Sequence, residues 1–133
     1  MIRVIYYVGG EKMIITYKDN ILTAYLEGEI DHHTAKIMRE EIDPKIERYK
    51  PKLLVLDFGK VTFMDSSGVG LALGRYRLIS QYNGQMRVDN TQPYIKKVMK
   101  LAGVDRISSF EGQHDNEKQT DNIENKEKVE KEG

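Results

Sequence analysis

The stretch Leu53-Leu-Val-Leu-Asp-Phe58 carries aliphatic side chains on both faces of a predicted β-strand. Strands of this kind lie in the interior of a parallel sheet that is covered by helices. A helix is predicted to follow from Ser66 to Tyr82. Its expected buried stripe consists of residues at helical spacing, namely Val69, Ala72, Leu73, Tyr76 and Ile79. This strand and helix together predict an α/β domain.

Two β-branched and aromatic runs precede this stretch and predict an antiparallel hairpin. They are Met13 to Lys18 and Ile21 to Leu26, joined by Asp19-Asn20, a favoured composition for a tight turn. Beyond the second helix the sequence predicts a strand, a helix that starts at a proline and a last strand, at Met86 to Asp89, Pro93 to Leu101 and Arg106 to Phe110. The whole order is ββαβαβαβ, which predicts a mixed sheet covered by helices in a single domain.

The first predicted helix lies between the hairpin and Leu53, over Thr34 to Tyr49, where apolar residues recur at spacings of three and four. Asp31 or Thr34 can cap its start. Pro44 lies inside this pattern. Because proline has no backbone N–H and its ring crowds the preceding turn, we expect a kink or an end to the regular helix near Asp43.

Length and composition exclude several classes of protein. The chain has 133 residues, which favours one domain, and its 21 basic and 21 acidic residues give no reason to expect nucleic acid as a partner. The absence of cysteine excludes disulfides, thiolate metal sites and cysteine nucleophiles, and it suits a reducing compartment. No apolar run approaches the roughly 20 residues of a membrane-spanning helix. We therefore expect a soluble, cytoplasmic protein that does not bind membranes.

The two ends of the chain differ from its middle. Residues 111–133 contain four lysines and eight acidic residues, and their only large apolar side chains are Ile123 and Val129. Because so little apolar surface cannot repay the entropy of ordering, a disordered polar tail is predicted there. Residues 1–12 are interpreted as an N-terminal extension that either adds an edge strand or stays loose. Residues 13–110 then form the folded domain.

The loop before the second predicted helix contains Asp65, Ser66, Ser67 and Gly68. It lies where the carboxyl end of a strand meets a helix N-terminus, the usual place of functional sites in open α/β sheets. Asp65 or either serine could simply cap the helix. Alternatively, a serine there is an accessible hydroxyl whose phosphate would be tolerated, because free amides and the helix dipole favour an anion. On physical grounds Ser66 and Ser67 are equivalent as phosphate acceptors.

This loop lacks the patterns of common catalytic and nucleotide-binding sites. A nucleophile elbow needs a glycine two residues before the serine, and Met64 and Asp65 occupy those positions. Gly68, Gly70 and Gly74 fall inside the predicted helix rather than before it, and no Gly-Lys-Ser or Gly-Lys-Thr is present for a P-loop. We expect a binding protein without a cofactor, and a small nucleotide-binding or hydrolytic protein is the alternative from another class.

A second polar cluster, Glu29 to Thr34, holds two carboxylates and two imidazoles just after a predicted strand. Adjacent histidines rarely reach one ion, and the remaining histidine, His114, lies in the predicted tail, so helix capping by Asp31 is preferred and no metal site is expected. A Ser-His-Asp arrangement of Ser66 with His32 or His33 lacks a recognisable oxyanion hole.

The second predicted helix is apolar on a further side, where Leu71, Leu78 and Tyr82 lie together with Arg75. This side either packs against the neighbouring helix or forms a docking surface beside Ser66. Both interpretations stay open from the sequence.

Two motifs closely resemble those of the STAS-domain anti-anti-sigma factors. They are Gly28-Glu-Ile-Asp-His-His-Thr-Ala35 and, further along the chain, Phe63-Met-Asp-Ser-Ser-Gly68 followed by Leu73-Gly-Arg-Tyr76. The likeness covers Met13 to Phe110. It implies a small STAS-type α/β domain that works by partner switching rather than by catalysis. Family members commonly continue into a C-terminal helix, which the polar composition after Phe110 does not predict.

The resemblance also implies a regulatory cycle. In that family the unphosphorylated antagonist binds an anti-sigma factor, itself a serine kinase, and so frees a sporulation sigma factor. Phosphorylation by the kinase breaks the complex, and a PP2C-type phosphatase restores the active form. The phosphorylated serine matches Ser66, and Asp31 matches a family aspartate beside it. The alternative within the family is an antagonist of a stress-response anti-sigma factor.

We accordingly predict that the chain is a monomer that contacts its partner through one surface. The predicted contact residues are Glu29, Asp31, Asp65, Ser66, Ser67, Gly68, Leu71 and Arg75.

Overall fold

A computed structural model describes residues 1–112, and in them a six-stranded sheet packs against three helices. The strands are β1 (Ile2–Val8), β2 (Glu11–Lys18), β3 (Ile21–Ile30), β4 (Leu53–Met64), β5 (Gln85–Asp89) and β6 (Ser109–Glu111). The helices are α1 (His32–Tyr49), α2 (Ser66–Ser80) and α3 (Pro93–Leu101), and a 3-10 turn occupies Val104–Arg106.

The sheet order is β1-β2-β3-β4-β5-β6. β1 pairs with β2 and β2 with β3 in antiparallel fashion, whereas β3, β4, β5 and β6 are mutually parallel and joined by the helices. The predicted α/β fold with a mixed sheet is confirmed. Its central strand β4 lies between β3 and β5, which accounts for the apolar character of Leu53 to Phe58.

The core lies between one face of the sheet and the helices. On that face Leu22, Leu54 and Met86 form a row across β3, β4 and β5, and all three are buried. α1 contacts β1 and β3, whereas α2 contacts β4 and β5. The opposite face is more open, and Ile5 and Tyr25 on it are 41% and 43% exposed.

The N-terminal residues form an edge strand, which is one of the two outcomes that the sequence left open. β1 pairs with β2 along its whole length, from Ile2 opposite Tyr17 to Val8 opposite Glu11. Its inward side joins the core, since Val8 is buried and Tyr6 packs against the core residues. The element order therefore gains one strand over the prediction and reads βββαβαβαβ.

α1 continues through Pro44 to Tyr49, so of the two predicted effects of the proline, a kink or an end near Asp43, the end does not occur. Ile42 and Ile46, one on each side of the proline, are fully buried. Burial of such side chains contributes about 1.5–3 kcal/mol each, which offsets the hydrogen bond that proline cannot donate.

Several other boundaries also differ from the prediction. The strand predicted to end at Leu26 runs to Ile30, and the strand predicted to end at Phe58 runs to Met64. Arg106 belongs to the 3-10 turn rather than to the last strand. Val104 at the start of this turn is buried in the core, and β6 begins only at Ser109. α2 ends at Ser80, short of the predicted Tyr82. The disordered tail predicted over residues 111–133 lies outside the described residues, except for Glu111, which ends β6, and Gly112.

Candidate partner-binding site

The ends of β3 and β4 bring the two sequence motifs together. Ile30 lies opposite Met64 in parallel register, and the backbone N–H of Asp65 donates to the carbonyl of Ile30 at 3.1 Å. α1 and α2 therefore start side by side where these parallel strands end, at the edge of the sheet formed by their carboxyl ends. Six of the predicted contact residues lie at this edge, namely Glu29, Asp31, Asp65, Ser66, Ser67 and Gly68.

Asp31 caps α1 through a reciprocal capping box with Thr34. The backbone N–H of Thr34 donates to Asp31 Oδ1 at 2.9 Å, and the backbone N–H of Asp31 donates to Thr34 Oγ1 at 2.9 Å. The hydrogen bond from the backbone N–H of Thr34 is the main cause of a lowered pKa of Asp31, and the Thr34 hydroxyl, which donates to Asp31 Oδ1 at 3.1 Å, lowers it further. The carboxylate is therefore charged at neutral pH, and the capping role predicted for it is confirmed.

Gly28 shapes the approach of β3 to this edge. Its φ is +83°, a conformation that favours glycine, and the register of β3 against β4 shifts between Gly28 and Glu29. A Cβ at Gly28 would also collide with the side chain of Glu11. This bulge leaves the side chain of Glu29 exposed beside the start of α1.

Asp65 caps α2, so the serines are not needed for that role. Its Oδ1 accepts a hydrogen bond from the backbone N–H of Ser67 at 2.8 Å. Ser66 is the first residue of the helix and its side chain is exposed, whereas Ser67 is half-buried. The geometry therefore distinguishes two serines that the sequence could not: Ser66 is the more accessible hydroxyl.

Gly68 allows the first turn of α2 to pack against the end of β4. It is buried, and a Cβ there would collide with the side chain of Met64. Its backbone N–H donates to the carbonyl of Asp65 at 3.0 Å. Gly68 thus fixes the position of the loop and has no side chain to offer a partner.

Leu71 and Arg75, the remaining predicted contact residues, are buried at 3% and 6% exposure. α2 packs against α1, where Arg75 Nε lies 2.7 Å from Oδ1 of Asp43 and Arg75 Nη2 donates a hydrogen bond to Asp43 Oδ2 at 3.4 Å. Burial raises the pKa of Asp43 and lowers that of Arg75. Packing between the helices therefore accounts for the second apolar side of α2. Leu71 and Arg75 hold α2 against α1 and do not face solvent beside Ser66.

A groove runs between α1 and α2, beside the serines, with a cavity volume of about 380 Å³. We call it the α1–α2 groove. Lys36 and Arg39 of α1 and Arg77 of α2 line it with exposed cationic side chains, and Ser67 lies at its edge. The sequence analysis missed this groove, although the spacing of Lys36 and Arg39 by three residues places both on one side of a helix.

Two classes of site receive no support from the described chain. Within residues 1–112, no three His, Cys, Asp or Glu side chains are grouped so that they could hold a metal ion. Across the same residues, no helix has the length and apolar character that a membrane span requires.

Comparison with known proteins assigns this fold to a family. Residues 12–118 match the STAS domain family, and the chain therefore belongs to that family, as its motifs indicated. The match begins after β1, so this strand lies outside the matched residues.

Within the family, the chain is similar to an anti-sigma F factor antagonist from Paenibacillus polymyxa, with 38% identity over 97 residues that cover 73% of this chain and 80% of the relative. A solved structure of the anti-sigma factor antagonist SpoIIAA in its unphosphorylated form superimposes with a TM-score of 0.66 and 29% identity, covering 74% of this chain and 87% of that one. The phosphorylated form of Bacillus SpoIIAA gives 0.62 and 29%, covering 74% and 90%.

Proposed function

We propose that this protein is an anti-sigma factor antagonist that binds an anti-sigma factor through the edge around Ser66 and so releases a sigma factor for transcription. The similarity to the Paenibacillus polymyxa antagonist and to SpoIIAA supports this function. We propose a sporulation sigma factor as the one released, as the resemblance of the two motifs implies. In this proposal the chain is a cytoplasmic monomer that regulates by binding and catalyses no reaction. It needs no cofactor and contacts neither nucleic acid nor a membrane.

The observation that carries the proposal is the exposed hydroxyl of Ser66 at the start of a helix that Asp65 already caps. A phosphate on this hydroxyl adds about −1.5 to −2 charges. The helix N-terminus tolerates that charge, because its free N–H groups and dipole favour an anion. The fold is therefore kept while the charge of the contact surface changes beside the carboxylates of Asp31 and Asp65.

The proposed partner is a serine kinase as well as an anti-sigma factor. In the switching step, Ser66 Oγ attacks the γ-phosphorus of ATP, a new O–P bond forms, and the bond to the β,γ-bridging oxygen breaks to release ADP. The hydroxyl proton passes to a base of the kinase. A PP2C-type phosphatase reverses the modification by hydrolysis, which returns the Ser66 hydroxyl and inorganic phosphate.

Locating the phosphate tests this proposal. We expect incubation with the anti-sigma kinase of the same organism and ATP to give one phosphate on Ser66 by peptide mass spectrometry. Ser66→Ala should abolish it, whereas the neighbouring control Ser67→Ala should keep it. Phosphate on Ser67 would overturn the assignment of the site, and no phosphate from a kinase shown to be active on another substrate would overturn the switch.

A further inference from the structure

The α1–α2 groove has a floor that is more open than the packing of the helices requires. Gly70 and Gly74 of α2 line it, and a Cβ built at either position meets no atom within 4 Å. Glycine inside a helix is less favourable than alanine, and neither residue has a positive φ that would call for glycine. Packing within the described chain therefore gives no reason for glycine here, whereas close approach of another molecule does.

The walls of the groove concentrate positive charge. Lys36, Arg39 and Arg77 are exposed in it, and among the described residues that line the groove none is acidic. Burial is the main cause of the lowered pKa of Arg75 beneath them, and repulsion by Arg39 and Arg77 adds to it. Asp43 pairs with Arg75 and also attracts Arg39, but within the described chain none of the three exposed cations forms an ion pair of its own. An incoming negative charge would relieve this repulsion.

From these observations we propose that the α1–α2 groove binds an acidic segment of the anti-sigma factor, with carboxylates on Arg39 and Arg77 and backbone against Gly70 and Gly74. This inference rests on the proposed function and names the chemistry of the partner. The groove begins at Ser67, next to the phosphorylation site, so one partner can cover both. It would contact the exposed Ser66 and insert its acidic segment between the helices.

Charge reversal in the groove tests the proposal against a matched control. Arg39→Glu/Arg77→Glu should weaken binding of the cognate anti-sigma factor by about tenfold or more in a calorimetric titration. Lys97→Glu/Lys100→Glu changes two exposed cations of α3, outside the groove, by the same net charge and should change the affinity less than about twofold. Equal losses in both double variants would overturn the proposal, since they would show a general charge effect.

Filling the floor gives a second test in which stability and binding move in opposite directions. Gly70→Ala/Gly74→Ala should raise the Tm of the free protein, because alanine favours the helix and its methyl group enters open space. The same variant should bind the anti-sigma factor more weakly, because the methyl groups occupy the path of the incoming backbone. A higher Tm with unchanged affinity would overturn the close approach at the floor.

A probe independent of the anti-sigma factor separates failure of this inference from failure of the proposed function. In an NMR titration of the full chain with a capped hexaglutamate peptide, we expect shifts centred on Gly70 and Gly74 that disappear in Arg39→Glu/Arg77→Glu. Shifts from inorganic phosphate but not from the peptide would indicate a small-anion site and overturn the proposal. Peptide shifts from a protein that binds no anti-sigma factor would reject that factor as the occupant.

Discussion

At the residue scale, the site depends on which side chain caps α2. Asp65 accepts the hydrogen bond from the backbone N–H of Ser67 at 2.8 Å, and Ser66 beside it is exposed. A negative charge at an exposed helix N-terminus stabilises the helix by about 0.3–1 kcal/mol. Modification of Ser66 should therefore act on the partner surface and not on the stability of the fold.

Asp31, at the same edge, makes the stability of the fold depend on pH in the acid range. Because the pKa of Asp31 is lowered from 3.8 in the folded chain, its carboxylate stabilises the fold above that ordinary value, and the contribution is lost as the pH falls through the lowered pKa. Asp31→Asn keeps an oxygen acceptor but does not titrate. We expect the difference in unfolding free energy between wild type and Asp31→Asn, measured with urea, to shrink between about pH 5 and pH 2. A difference independent of pH would contradict the capping geometry.

At the scale of elements, the Asp43–Arg75 ion pair joins α1 to α2 and holds the two helix starts at one edge. Arg75 is 7% exposed at its side chain and Asp43 is 28% exposed. Removing one partner of a fully buried pair costs about 3–5 kcal/mol, whereas replacing both partners with apolar side chains is often neutral. The partial exposure of Asp43 reduces the expected cost.

We therefore expect Arg75→Met to lower the unfolding free energy by about 2–3 kcal/mol, because it leaves the carboxylate of Asp43 without its ion-pair partner between the helices. Arg75→Met/Asp43→Leu should recover much of that loss, since no charge is then left behind. Chemical denaturation of wild type, both single variants and the double variant measures this coupling. Costs that simply add would show that the pair does not connect the helices.

The helices also show why sequence patterns predicted some elements better than others. The periodic apolar residues of α1 predicted its existence, and the acidic residue before it predicted the cap at Asp31. The helix does not end at Pro44, because the burial of Ile42 and Ile46 on either side outweighs the hydrogen bond that proline cannot donate. In α2 the stripe of Val69, Ala72 and Ile79 was predictable. Whether its other side met a partner or α1 could not be predicted, because amphipathic periodicity does not identify the neighbour.

At the scale of the whole molecule, the apolar run in β4 and the alternation of strands and helices were enough to predict a mixed sheet in an α/β domain. The edge strand β1 was left open, because a short apolar run at a chain end has no sequence signal for its pairing partner. The α1–α2 groove was missed for a related reason. Arg39 and Arg77 are far apart in sequence and line the same groove only because α1 packs on α2. The meeting of the two motifs at the ends of β3 and β4, in contrast, agrees with the resemblance, which implied that Asp31 lies beside Ser66.

The central claim is that the charge on Ser66 decides whether the antagonist holds its partner. The most direct measurement is a calorimetric titration of the cognate anti-sigma factor with unphosphorylated protein and with protein phosphorylated on Ser66. The account predicts that the phosphorylated form binds at least about tenfold more weakly, a difference of about 1.4 kcal/mol, while both forms unfold at a similar Tm. Equal affinities of the two forms would contradict it.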